Sequence, residues 1–155
     1  MKTIEETNNL VSEVQITYLN KISASDRLKV TKIDDCIRIF RSVSRYNANI
    51  SLYECFYAMY LNRNNKVLSV MLISEGGTCG TVVDVKKILS PAILQNSSAI
   101  ILSHNHPSGN TQPSEADINT TKKVVQAALL MDIKVIDHVI LTEESFYSFA
   151  DEGLI

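Results

Sequence analysis

The sequence predicts a single α/β domain in which a mixed β-sheet lies between helices. Short apolar runs typical of strands alternate with segments whose apolar residues recur at helical spacing, in the order β-α-β-β-β-α-β-α-β. The chain has 155 residues, of which 45 % are hydrophobic and 21 % charged. A chain of this length and composition is globular and buries a core without disulfides or a structural metal.

The first half of the chain predicts a strand, a helix and a hairpin. Residues 13–20 alternate apolar and polar side chains, as a half-buried strand does. Residues 34–46 carry apolar side chains at helical spacing, with acidic residues at the start and arginines towards the end, as the helix dipole prefers. Residues 51–74 form two runs rich in β-forming residues around the polar segment 62–65, which predicts a hairpin.

The second half alternates strands and helices. The predicted elements are a short strand at 81–85, a helix at 86–95, a strand at 99–103, a helix at 114–131 and a strand at 133–141. Pro91 should lie near an end of its helix or kink it, because proline has no backbone N–H to donate. The continuous apolar run at 99–103 is typical of a buried strand, so we expect it at the centre of the sheet.

The overall charge and the cysteines exclude several classes of protein. The chain has 15 basic and 17 acidic side chains, a net charge of −2, which is unlike a strongly basic nucleic-acid-binding domain. Three cysteines without a CxxC pair do not predict a disulfide framework. The N-terminal residues lack the apolar core of a secretory signal, and no apolar run approaches the roughly 20 residues that span a bilayer. We therefore expect a cytoplasmic protein without membrane association.

Two histidines and an aspartate predict a metal site. His104 and His106 leave the apolar strand two residues apart, so both side chains point to the same side. Ser114 is a good N-cap residue, which places Asp117 in the first turn of the next helix, facing back towards the strand end. Two imidazoles and a carboxylate are three zinc ligands, and they leave a fourth position for water, as in catalytic zinc sites.

Each part of this pattern also has a simpler interpretation. A single His-x-His is more often a pair of surface or core histidines, and Ser114 with Asp117 forms a capping box that stabilises a helix and nothing more. The combination favours a metal site, because the residues converge on the C-terminal end of a buried strand, where open α/β sheets place ligands.

The same residues resemble a known motif. His-x-His, seven residues and Ser-x-x-Asp match the JAMM motif of the JAB/MPN metalloproteases, and HNHPSG (104–109), PSEAD (113–117) and IDHVIL (136–141) resemble its RadC branch. The resemblance runs from about residue 30 to the end, with residues 1–30 as a short lead and 31–155 as the domain. It implies a JAB/MPN-like fold, similar to cytidine deaminases: a three-layer α/β sandwich with a mixed sheet flanked by helices.

The resemblance also implies an activity. The chain would be a zinc-dependent hydrolase, with one zinc per chain on His104, His106 and Asp117, acting on a peptide or isopeptide bond. Ser114 matches the serine that stabilises the oxyanion. The motif requires a glutamate as general base, and Glu54, just before an apolar strand, is the match. Glu75 is the alternative, and the simpler interpretation of Glu54 is a solvent-facing residue.

Other candidate residues are weaker. His138 would orient a ligand or, more simply, fill the core as a satisfied histidine. Cys55 should face away from Glu54 as a packed thiol, and Cys79 lies in a glycine-containing loop without a nearby histidine in the sequence to activate it.

A nucleic-acid role is the alternative hypothesis. RadC-like proteins have been labelled as DNA repair proteins, and many carry a helix-hairpin-helix segment. This chain departs from that pattern, because its first 75 residues contain no glycine for such a hairpin.

Residues 21–46 nevertheless have a local excess of four positive charges, and Arg38, Arg41 and Arg45 share one predicted helix face. That face would contact DNA or, more simply, be solvated. In this alternative the metal centre acts on nucleic acid or is not catalytic. The oligomeric state is not predicted.

Overall fold

A five-stranded mixed sheet forms the centre of the computed structural model, which describes residues 17–76 and 83–155. The strands are β1 (Cys55–Leu61), β2 (Val67–Glu75), β3 (Ala99–Asn105), β4 (Lys134–Leu141) and β5 (Phe146–Ser148). Their order in the sheet is β2-β1-β3-β4-β5. The β3–β4 pair is parallel and the other three pairs are antiparallel, so the sheet is mixed, as predicted.

Within the described residues, four helices cover the two faces of the sheet. They are α1 (Ile33–Ser42), α2 (Ser44–Asn49), α3 (Val85–Leu94) and α4 (Glu115–Leu129). The core on one face combines side chains of α1 and α2 with Tyr57 and Met59 of β1. The core on the other face combines α3 and α4 with Ala58 and Tyr60, the alternate residues of the same strand. The molecule is therefore a three-layer α/β sandwich, which confirms the predicted fold class.

The two central strands are buried along their whole length. Every residue of β1 and β3 is buried, which explains the continuous apolar runs at 55–61 and 99–102. Strand β3 ends with His104 and Asn105, and His104 lies beside Phe56 of β1 on one side and Ile140 of β4 on the other. The first predicted histidine thus lies at the carboxyl end of the middle strand.

The structure confirms several predicted elements and corrects others. The hairpin, the central strand, the last helix and the last long strand lie where the sequence places them. The single helix predicted at 34–46 is wrong: Val43 is extended and separates α1 from α2. The short strand β5 was not predicted.

Two predicted strands are not supported where the structure describes them. Residues 17–20 are irregular rather than extended in a sheet, and residues 13–16 of that prediction lie outside the described residues. Of the segment 81–85, residues 81 and 82 lie outside the described part, Asp84 is the N-cap of α3, and Val85 already begins that helix. The Asp84 side chain accepts a hydrogen bond from Lys86 N at 2.9 Å, which favours helix over strand here.

Pro91 lies inside α3, in its last turn, three residues before Leu94. Within residues 17–76 and 83–155, no helix has both the length and the apolar character needed to cross a bilayer.

Candidate metal centre

His104, His106 and Asp117 converge at the carboxyl end of β3. His104 is fully buried, His106 lies one residue beyond the strand, and Asp117 lies in the first turn of α4. One donor atom from each side chain lies within 4.8 Å of the other two. The structure therefore brings together the three residues that the sequence selects as metal ligands.

The separations between the donor atoms suit a tetrahedral ion. His104 Nε2 lies 3.0 Å from His106 Nε2 and 3.3 Å from Asp117 Oδ1, and His106 Nε2 lies 3.6 Å from Asp117 Oδ2. In a tetrahedral zinc site with ligands at about 2.0–2.1 Å, neighbouring ligand atoms are about 3.3 Å apart. The contacts between the two nitrogens, and from each nitrogen to its nearer carboxylate oxygen, are thus close to this ligand–ligand separation.

The capping box and the ligand role of Asp117 coexist. Ser114 N and Ser114 Oγ both donate to Asp117 Oδ2, at 2.7 and 2.6 Å, and Asp117 N donates to Ser114 Oγ at 3.1 Å. These bonds hold one carboxylate oxygen at the helix N-terminus and direct Oδ1 towards His104. The interpretation as a helix cap and the interpretation as a metal ligand are therefore both compatible with the same geometry.

Electrostatics at the three residues favours a bound cation. Burial opposes the charged form of Asp117, but hydrogen bonds from His104 and His106 outweigh it and hold the pKa of this carboxyl well below its usual range. The hydrogen bond to Asp117 is also the main cause that raises the pKa of His106. Two imidazole nitrogens 3.0 Å apart beside a carboxylate require a proton or a metal ion between them.

Glu54 lines the same open pocket as His106. The pocket has a volume of about 380 Å³, and its wall includes Glu54, His106 and Ser114. The charge of Glu54 contributes to the raised pKa of His106, which places the two groups within electrostatic reach of each other. Glu54 is half-buried and immediately precedes the first residue of β1. The structure thus brings the predicted base and Ser114 to the same pocket as His106, one of the three ligands.

The alternative base, Glu75, lies elsewhere. It is the last residue of the edge strand β2, where its carboxylate forms an ion pair with Arg45. It does not line the pocket that holds Glu54 and His106. This position favours Glu54 over Glu75 as the acid–base group.

Asn105 is a site residue that sequence reasoning missed. Its fully buried side chain accepts a hydrogen bond from Cys55 N at 2.8 Å and donates to the carbonyls of Ile50 and Tyr53, both at 2.9 Å. These bonds fasten the segment that contains Glu54 to the end of β3. The only signal in the sequence was an amide residue between the two histidines, at a position that strand alternation turns away from them.

His138 is fully buried beside the ligands. Its Nε2 lies 2.8 Å from His104 Nδ1, and its ring stacks on Phe149 with a centroid separation of 4.7 Å. Burial, together with the nearby charge of His104, keeps the pKa of His138 well below its ordinary value. The sequence singled out this histidine but did not predict the contact with His104.

The predicted DNA-contacting arginines have partners within the protein. Arg38 pairs with Asp35 at 3.0 Å, Arg41 donates to the Thr142 carbonyl at 2.7 Å, and Arg45 pairs with Glu75. The predicted common helix face is wrong, because Val43 separates the helix that carries Arg38 and Arg41 from the helix that carries Arg45. The other minor candidates are a buried Cys55, whose pKa is raised to about 11 by burial, and Cys79, which lies outside the described residues.

Comparison with known proteins agrees with this geometry. The model of the RadC-like JAB domain family matches residues 30–154. The chain belongs to the RadC-like JAB family. This confirms the resemblance drawn from the motif.

Relatives of this RadC-like JAB chain include UPF0758 proteins of several bacteria. It is 40 % identical over 131 residues to the UPF0758 protein of Flavobacterium johnsoniae, covering 84 % of this chain and 57 % of the relative. It is 36 % identical over 136 residues to that of Porphyromonas gingivalis, covering 87 % and 60 %. It is 41 % identical over 102 residues to UPF0758 protein YfjY of Escherichia coli, covering 66 % and 64 %. The matched region thus spans less than two thirds of these relatives.

Proposed function

We propose that this RadC-like JAB chain is a zinc-dependent hydrolase of the JAMM type, which cleaves a peptide or isopeptide bond in the cytoplasm. The observation that carries the proposal is the convergence of two imidazole nitrogens and a carboxylate at zinc-ligand separations, with Glu54 in the wall of the same pocket. A structural zinc site would close all four positions with protein ligands, whereas this cluster offers three among residues 17–76 and 83–155.

The chain's own residues would divide the chemistry among them. The chemistry that zinc supplies when bound is Lewis-acid activation of water at neutral pH. The Glu54 carboxylate would accept a proton from the attacking water and return it to the leaving amine nitrogen. His104, His106 and Asp117 would hold the metal, with Asp117 oriented by the two hydrogen bonds from Ser114.

Ser114 has two proposed tasks that compete for one proton. Its hydroxyl lines the pocket, where it would donate to the oxyanion of the tetrahedral intermediate. In the structure that hydroxyl donates to Asp117 Oδ2 at 2.6 Å. Stabilisation of the oxyanion would therefore require the hydroxyl to rotate away from Asp117, which leaves the backbone N–H of Ser114 to orient the carboxylate.

The test separates metal binding from catalysis. Wild-type protein purified without chelator should contain about one zinc per chain, and His104→Ala should lose it. Hydrolysis of a panel of peptide- and isopeptide-linked fluorogenic substrates should fall by at least about 10²-fold in Glu54→Gln, with zinc retained. Glu75→Gln is the matched control and should keep both zinc and activity. Wild-type protein without zinc, or a fully active Glu54→Gln, would contradict the proposal.

A DNA-associated role is the second candidate, because residues 21–46 hold a local excess of positive charge. It predicts binding to DNA that weakens with salt and is lost in the Arg38/Arg41/Arg45 triple alanine variant. A Lys86/Lys87 double alanine variant, which removes two charges from α3, is the control. Equal DNA binding by both variants would count against this role.

A further inference from the structure

Four residues around the metal centre form a ring of close polar contacts, three of which are hydrogen bonds. His104 Nδ1 lies 2.8 Å from His138 Nε2. On the other side of its ring, His138 Nδ1 lies 2.6 Å from Thr121 Oγ1. Thr121 Oγ1 in turn lies 2.6 Å from the backbone carbonyl oxygen of Asp117. The ring closes where Asp117 Oδ1 lies 3.3 Å from His104 Nε2, as two neighbouring ligand atoms of one metal ion would. Thr121 and His138 are buried, so water does not compete for these bonds.

The donor of each hydrogen bond can be assigned by starting from the one group that can only accept, the Asp117 carbonyl. The Asp117 carbonyl has no proton, so the single hydroxyl proton of Thr121 is donated to it. Thr121 Oγ1 must then accept from His138 Nδ1–H. A neutral imidazole carries one such proton, which makes His138 Nε2 an acceptor and His104 Nδ1 its donor. His138 is packed between the rings of Phe56 and Phe149, an environment that favours the neutral form.

We propose that Thr121 and His138 are positioning residues that fix His104 in the tautomer whose Nε2 lone pair faces the metal. The proposal rests on the zinc site proposed above, and it assigns a role to two residues that do not touch the metal. His106 reaches the same state by a shorter route, because its Nδ1 donates directly to the Asn110 carbonyl at 2.7 Å. Both Nε2 atoms are thereby left without a proton and directed at one point.

The ring also couples two ligands that come from different elements. His104 belongs to β3 and Asp117 to α4, and Thr121 lies one turn further along α4, above Asp117. His138 of β4 bridges them. A substitution of Thr121 should therefore alter the tautomer of His104, although the two side chains do not bond to each other. Loss of such an orienting hydrogen bond typically lowers metal affinity about 10- to 100-fold.

The first experiment reads the tautomer directly and needs no substrate. Long-range ¹H–¹⁵N spectra of the metal-free wild-type protein should show His138 protonated on Nδ1 alone, with Nε2 as an acceptor. Thr121→Val keeps the shape of the side chain but removes the hydroxyl, and His138 should then lose this preference. Thr121→Ser should restore it. A wild-type His138 protonated on Nε2 would overturn the proposal whether or not the protein binds zinc.

The second experiment measures zinc affinity by competition with a chromophoric chelator. Thr121→Val should bind zinc about 10- to 100-fold more weakly than wild type, and Thr121→Ser should bind it nearly as tightly. Thr120→Val, at the neighbouring position of the same helix, is the matched control and should leave the affinity unchanged. If Thr121→Val binds zinc as tightly as wild type, the positioning role of Thr121 and His138 is wrong, while the metal site stands. If wild type binds no zinc, the metal site is wrong. The measurement of the His138 tautomer alone then decides whether Thr121 and His138 have the proposed positioning role.

Discussion

Asn105 shows how one residue links the two halves of the candidate site. Its neighbours His104 and His106 point to one side of β3, and strand alternation turns the Asn105 amide to the other side. There it satisfies one N–H and two carbonyls of the chain just before β1. The His-Asn-His segment thus presents two ligands in one direction and holds the backbone around Glu54 in the other.

The first prediction concerns the buried amide. Asn105→Ala should lower the free energy of unfolding by about 2 kcal/mol or more, because it leaves three backbone groups without their buried partner. Urea denaturation measures this change. Zinc affinity should change less than in His104→Ala, because all three ligands remain. Asn110→Ala, an exposed amide in the loop after His106, is the control and should stay within about 0.5 kcal/mol of wild type. An equally small effect of Asn105→Ala would refute the role given to it.

At the scale of the element, helix α4 begins with a cap that also orients a ligand. The reciprocal bonds between Ser114 and Asp117 satisfy two N–H groups at the helix start. The same carboxylate lies at the positive end of the helix dipole, which stabilises its charge. Folding of the first turn of α4 and assembly of the third ligand are therefore one event.

The second prediction follows from this shared use. Ser114→Ala should cost about 1 kcal/mol of stability, as loss of an N-cap does, and should also weaken zinc binding, because Asp117 Oδ2 keeps only the bond from the backbone N–H. Thermal unfolding and chelator competition measure the two effects. Ser114→Thr retains the hydroxyl and serves as the control. A variant that loses stability but binds zinc normally would show that the cap and the ligand are independent.

The elements also show what local patterns can and cannot predict. The ligand set was predictable because His104, His106 and Asp117 lie within one strand-loop-helix segment with its own capping and turn signals. The break at Val43 was not, because α1 and α2 both face the same core and keep a continuous apolar spacing. The turn brings Tyr46 onto Tyr57, 4.5 Å between ring centroids, and within 2.8 Å of Ser103 Oγ. Those long-range contacts decide the break, and no local pattern contains them.

The same distinction applies inside the site. The bonds from Asn105 span 50 to 55 residues, and the His104–His138 bond spans 34. The sequence placed His138 in a strand but could not show that β4 runs parallel to β3, with His138 opposite Leu102, two residues before His104. Catalytic roles predicted for Glu54 and Ser114 stay predictions, now with both residues placed in one pocket.

At the scale of the whole molecule, two arginines connect the α1–α2 layer to distant parts of the sheet. Arg45 at α2 pairs with Glu75 at the end of the edge strand β2. Arg41 at α1 donates to the Thr142 carbonyl just after β4. The positive excess of residues 21–46 is thus partly used to attach this layer on both sides of β1 and β3, the strands that lead into the candidate site.

The last prediction concerns the stability of the whole fold, because a bound metal would join β3 to α4. Free zinc at about 100 times its dissociation constant should stabilise the native state by about 2.7 kcal/mol, since a ligand that binds only the folded chain shifts the unfolding equilibrium. For a chain of this size that is a rise in Tm of roughly 5–10 °C. Differential scanning fluorimetry with and without zinc measures the rise, and EDTA should reverse it.

His104→Ala is the control that assigns the zinc effect to this site. The variant will have a lower Tm of its own, because it removes a buried side chain, so the quantity compared is the increment that zinc adds. That increment should disappear in His104→Ala and persist in Glu54→Gln, whose carboxylate is not one of the three ligands. An equal increment in His104→Ala would mean that zinc binds elsewhere, to the cysteines for example. A full increment in Glu54→Gln together with none in His104→Ala would separate metal binding from catalysis in a measurement that requires no substrate.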